Sequence, residues 1–184
     1  MRNAMLRALT VTMGFLLTAC VSVDRRALTE TIDKDSVRKI SGDFSNHATY
    51  GSRDALFVSV NLAVLFDVHA GSATHVRVVM SGPDTLTLKI TWYSSLGEIL
   101  AEKSFGPDSG MTIAPDGAID LPLGGGWSAG HGAWGYQSGN VRLFVNADGD
   151  LATIQSERAA GGLEMIPIGV YSRHLVIFPR KHDL

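Results

Sequence analysis

Only one cysteine, Cys20, occurs in the chain, which excludes an intramolecular disulfide framework and any multi-cysteine metal site. Charge is sparse as well. Asp, Glu, Lys and Arg make up 18% of residues and the formal net charge is −2, without the basic excess of a nucleic-acid-binding surface. The phosphate-loop signature GxxxxGKS/T is missing, and no glycine fingerprint opens a helix to receive a dinucleotide. Six histidines, at 47, 69, 75, 131, 174 and 182, are scattered without HxH or HExxH spacing. No nucleic-acid partner, metal or other cofactor is therefore expected. No apolar run approaches the ~20 residues of a membrane-spanning helix.

Apolar material is nonetheless abundant. Hydrophobic residues reach 45% of the 184, enough for one real core, and 20 glycines exceed average usage. A single folded domain is the expectation.

The first residues read MRNAMLRALTVTMGFLLTAC. Arg2 and Arg7 give a positive start, and a short apolar run over residues 8–17 follows. That pattern fits the charged and hydrophobic regions of a secretory signal. Leu17-Thr18-Ala19-Cys20 then resembles a bacterial lipobox, the leucine, small, small, cysteine pattern read by lipoprotein signal peptidase. The resemblance to bacterial lipoproteins implies cleavage before Cys20 and a diacylglyceryl thioether on it, followed by acylation of the new N-terminus. Several acyl chains, at about 0.8 kcal/mol per buried methylene, anchor stably where one alone is marginal. Val21 stands where an aspartate would resemble an inner-membrane retention signal, so the outer membrane is the expected address. Loss of residues 1–19, which hold two arginines and no carboxylate, takes the formal charge from −2 to −4.

The organisation expected is thus a signal peptide over residues 1–19, the lipidated cysteine and a tether over 20–40, a β-rich domain over 41–180 and a polar tail over 181–184. Residues 21–40 are dense in both signs of charge and lack glycine and proline, as a solvated spacer or a short exposed helix would be. Residues 55–66, ALFVSVNLAVLF, are the most apolar stretch after the signal. Their period fits either a strand or a helix capped by Ser52 or Asp54; length favours a helix near residues 54–66, valine content a strand.

Beyond residue 74 the pattern is that of strands. Leu86, Leu88, Ile90 and Trp92 alternate with Thr85, Thr87, Lys89 and Thr91, one face apolar and one wet. Further runs span residues 75–80, 98–105, 118–123, 141–146, 151–158, 163–170 and 174–179. Ser95-Leu96-Gly97-Glu98, Pro115-Asp116-Gly117-Ala118 and Ala147-Asp148-Gly149-Asp150 separate strand-like runs with the residues of tight hairpin turns. The fold expected is mainly β: an antiparallel meander of about eight strands closing into a small barrel or packing as a sandwich.

Gly126-Trp127-Ser128-Ala129-Gly130 is a literal G-x-S-x-G, with Asp148 or Asp150 and then His174 downstream. In α/β-hydrolases the serine elbow needs a helix behind it and a parallel sheet with crossovers. Here the next residues, AGHGAWGYQSGN, hold four glycines and form helix poorly. A serine hydrolase using Ser128 is a remote alternative, and no catalytic residues are assigned. Within the glycine-rich stretch 124–139, Trp127, His131, Trp134 and Tyr136 are the residues expected to contact a ligand or partner, since rigid amphipathic aromatics suit a binding rim.

Gly42-Asp43-Phe44, with Arg180 after the last strand, resembles the G-x-W and terminal arginine of lipocalins, in which the arginine packs across the aromatic. The resemblance is partial, with phenylalanine for tryptophan, the apolar run early rather than late, and the other family motifs missing. It implies a barrel with a small apolar ligand or lipid inside. The favoured expectation remains a non-enzymatic envelope lipoprotein, facing the periplasm, that binds another envelope component.

Overall fold

Alternation of apolar and polar side chains makes one face of each strand insoluble, and the fold follows from where those faces meet. The computed structural model describes residues 18–33, 35–51, 59–82, 86–130, 133–163 and 166–181. They form two open sheets that do not join into a closed barrel. The smaller holds β2 (Gly42–Ser45), β3 (His75–Ser81), β4 (Thr87–Tyr93) and β5 (Ile99–Phe105) in sequence order, each antiparallel to the next. The larger holds six strands in the order β1-β10-β9-β8-β7-β6. These are β1 (Thr18–Val23), β6 (Thr112–Ile113), β7 (Ile119–Gly130), β8 (Ala133–Val145), β9 (Leu151–Leu163) and β10 (Ile166–Phe178). All its pairings are antiparallel except that of β1 with β10, which is parallel.

The mainly-β expectation is met, with ten strands where about eight were expected. The three turns expected at 95–98, 115–118 and 147–150 each join antiparallel neighbours, β4 to β5, β6 to β7 and β8 to β9. Gly149 holds φ at 88°, a value that disfavours any residue with a Cβ. Two differences concern length. Residues 166–170 of one expected run and 174–178 of the next belong to one strand, β10, continuous through Tyr171-Ser172-Arg173. The glycine-rich stretch is mostly strand too, entering β7 through an irregularity between Pro122 and Gly125.

Inward residues of both sheets share one core. Val76, Val78, Leu88, Ile90 and Trp92 meet Ile119, Leu121, Val141, Leu143, Val176 and Phe178 there. The Trp92 side chain is fully buried, with Phe66 against it edge-on at 6.4 Å between ring centres. Residues 52–58 lie outside the described region. In the rest of the apolar stretch the helix is a single turn, α3 (Leu62–Leu65), following α1 (Arg26–Thr29) and α2 (Ser36–Lys39). Asn61 caps α3, its side chain accepting from the backbone N–H groups of Ala63 and Val64.

The stretch 20–40 differs from the expected tether. β1 pairs along β10 from Thr18 to Val23, and Ala27 packs with Phe144, Ala152, Leu175 and Ile177 on the outer face of the larger sheet. Ser36 is buried and accepts from the Val145 N–H at 2.7 Å, while Ile40 enters the inter-sheet core. Ala27, Ser36 and Ile40 are the reason that this charged segment docks: its few small or apolar side chains have a face to bury against.

Candidate functional site

Cross-strand register defines the site. On the outer face of the larger sheet, Phe144, Ala152, Leu175 and Ile177 lie beneath the N-terminal segment. Along the same face, further from the turn at Asn146–Asp150, the pairs become Asn140–Ser156–Arg173, then Ser138–Arg158–Tyr171, then Trp127–Tyr136–Ala160–Gly169. Apolar cover thus gives way to arginine and hydroxyl groups, and then to aromatic and small residues.

The two described aromatics of the expected rim come together. Trp127 is 74% exposed and Tyr136 42%, with ring centres 5.8 Å apart. Trp134 sits on β8 opposite Ala129 and Gly162, one register step from Tyr136. His131 lies outside the described residues. Cys20 is opposite Val170 in the edge strand, one step along from the Gly169–Ala160–Tyr136–Trp127 row. Four strand spacings separate β1 from β7, roughly 19 Å at about 4.8 Å each. Cys20 and Trp127 therefore occupy nearly the same level along the strands.

Below that row lies a hollow of about 420 Å3 whose lining includes Ser138, Asn140, Arg142, Ser156, Arg158 and Arg173. Arg142 is neutralised, pairing with Asp116 and, at 3.8 Å, with Asp120. Burial raises the Asp120 carboxyl above its ordinary range, against the opposing pull of Arg142. Arg158 and Arg173 have no carboxylate at ion-pair distance among the described residues. Arg158 leans over the Tyr171 ring at 5.7 Å, and the Nε of Arg173 is buried with no hydrogen-bond partner. Sequence reading missed these arginines. Their signal was faint: Ser156 with Arg158, and Tyr171 with Arg173, place polar side chains two apart where the strand pattern calls for one continuous face.

The G-x-S-x-G residues do not assemble. Ser128 lies within strand β7 opposite Gly135, where a serine elbow would need a turn from strand to helix. The register carries Gly135 through Gly161 to Ile168, six residues and roughly 20 Å along β10 from His174. Asp148 and Asp150 occupy the turn at the far end of β8, thirteen and fifteen residues beyond Gly135. His174 instead meets Ser22, Oγ to Nε2 at 3.1 Å, and burial lowers its pKa despite the nearby Asp24. Among the described residues no three His, Cys, Asp or Glu side chains gather into a metal-binding group.

Gly42, Phe44 and Arg180 do come together, with the Arg180 guanidinium over the Phe44 ring. Comparison with protein-family models, with curated proteins and with solved structures finds no match to the chain.

Proposed function

We propose that the chain is a bacterial lipoprotein, cleaved before Cys20 and acylated on it, whose β domain stands at the periplasmic face of the outer membrane. There it binds another envelope component, without enzymatic chemistry. The observation that carries this reading is the lipobox-like Leu17-Thr18-Ala19-Cys20 ending on the chain's single cysteine. Its supporting geometry is the level of Cys20 along the sheet, next to the row that ends in the exposed Trp127. Tethering holds the domain at high local concentration beside its partner, so a weak contact is enough to be occupied.

A lipocalin-like carrier of a small apolar ligand is the second reading, favoured by the packing of Arg180 on Phe44. It is the weaker one, because Leu88, Ile90 and Trp92 fill the inter-sheet space with buried side chains.

Mass spectrometry of the protein from native membranes tests the anchor. The N-terminal peptide should begin at Cys20 and carry diacylglyceryl and amide-linked acyl groups. In Cys20→Ser the lipid should be missing and residues 1–19 retained. A native N-terminus elsewhere, with the thiol free, would overturn the reading.

A further inference from the structure

The outer-face hollow of the larger sheet is the strongest unassigned feature of the molecule. Arg158 faces Tyr171 across β9 and β10, two positions from Arg173, so the two arginines are diagonal neighbours on one face. Diagonal pairs stand ~7–8 Å apart at their backbones, and both guanidinium groups can reach a single small anion. Two like charges so placed repel each other, and among the described residues neither arginine makes an ion pair. The chain as a whole is slightly acidic, which makes an unneutralised pair of arginines in one concavity a local exception.

The neutral lining narrows the ligand. Ser138 stands opposite Arg158, and Asn140 and Ser156 share the register row of Arg173. Two planar guanidinium forks flanked by hydroxyl and amide donors suit a tetrahedral oxyanion with several acceptor oxygens, which arginine binds by paired, charge-assisted hydrogen bonds. Arg173 contributes a buried Nε–H with no acceptor, a vacancy in hydrogen bonding that such an oxygen would fill. Asp120 at the far side of the hollow is already engaged by Arg142.

We propose that this hollow is a phosphoryl-binding site held by Arg158 and Arg173. The phosphoryl group belongs either to a lipid headgroup or to a soluble phosphate. A headgroup source rests on the anchor proposed above: Val21, the residue after Cys20, shares its row with Tyr171 and Arg158, so the anchored end of the chain meets the sheet edge at nearly the level of the site.

Isothermal titration calorimetry on the full-length protein in a non-ionic detergent tests the site. The probes are inorganic phosphate and dihexanoyl phosphatidylglycerol below its own micelle concentration. Saturable binding of at least one probe is expected. Arg158→Gln and Arg173→Gln should each weaken it about tenfold or more, the loss typical of a charged hydrogen bond. Arg38→Gln removes the same charge from the exposed surface of α2 and should change affinity less than twofold. Phosphate binding without lipid binding assigns a soluble source; the reverse assigns a headgroup. No saturable binding of either probe, or equal losses in Arg38→Gln and the hollow variants, would overturn the site. Arg158 is exposed, so Arg158→Gln keeps the test decisive if Arg173→Gln misfolds. The mass of the same preparation separates the two proposals. A bare chain that binds phosphate retires the anchor alone, whereas an acylated chain indifferent to Arg158→Gln retires the site alone.

Discussion

The Arg180 guanidinium lies 4.6 Å from the centre of the Phe44 ring and donates to the backbone carbonyls of Lys39 at 2.6 Å and Gly149 at 2.8 Å. One side chain thereby ties the chain's end to the first strand of the smaller sheet, to the end of α2 and to the β8–β9 turn. Gly42 makes room for it, since a Cβ there would overlap the guanidinium. Arg180→Met should cost about 2–3 kcal/mol, the sum of a cation–π contact and charged hydrogen bonds, read as a fall in the urea midpoint. Gly42→Ala should cost less alone and almost nothing in the Arg180→Met background. Additive losses in that double-mutant cycle would show that the glycine serves some other purpose.

The docked N-terminal segment predicts resistance to proteolysis. Arg25 and Arg26 are exposed and chemically open to trypsin, but Ala27, Ser36 and Ile40 hold the stretch against the sheets. Native protein should keep this segment through a digestion that quickly cuts a flexible spacer. Ser36→Ala leaves the buried Val145 N–H without its acceptor, a loss of about 1–3 kcal/mol, and should speed cleavage at Arg25 and Arg26. Rapid cutting of the unsubstituted protein at those sites would restore the spacer reading.

Legibility of the fold differed by element for physical reasons. β4 was plain because Leu88, Ile90 and Trp92 alternate with polar residues and are all buried on one face. The turns were plain because their glycines answer a backbone requirement that few other residues meet. The upper halves of β7 and β8 were obscure, since glycine has no side chain to carry an alternating pattern. β10 was split in two because Tyr171 and Arg173 face the polar hollow rather than a covered surface. β1 was not legible as a strand because its pairing is with a strand 150 residues later, which no local pattern records. The expected rim was legible from Trp127 and Tyr136, but the arginines were not. Arg158 and Arg173 become neighbours only through the β9–β10 register.

Trp127 offers an optical test of how the anchored domain sits. It is the exposed tryptophan of the outer-face row, while Trp92 is fully buried. If acyl chains on Cys20 hold the sheet end against a bilayer, Trp127 meets the interfacial region where tryptophan is favoured. Protein carrying Trp134→Phe and reconstituted into vesicles should lose part of its tryptophan fluorescence when the acyl chains are brominated, and adding Trp127→Phe should abolish most of that loss. Equal quenching in the variant would place the Trp127 row away from lipid.

Histidine burial sets the sign of the acid response. His174 and His75 are both buried, and burial lowers each pKa below the usual 6.5; Asp24 opposes the shift at His174, while Lys181 adds to it at His75. A folded-state value below the unfolded one means that the unfolded chain binds more protons between the two, so stability falls as pH drops from about 6.5 toward the folded-state values. Below both values this contribution stops changing. Thermal midpoints should therefore decline from pH 7 to pH 5. His174→Gln removes one of these two buried histidines and should flatten that decline, whatever its effect at pH 7 on the contact with Ser22. An unchanged slope in His174→Gln would mean that the imidazole titrates alike in both states, and that its burial between β1 and the pocket at Tyr50 and Gly51 is not retained in solution.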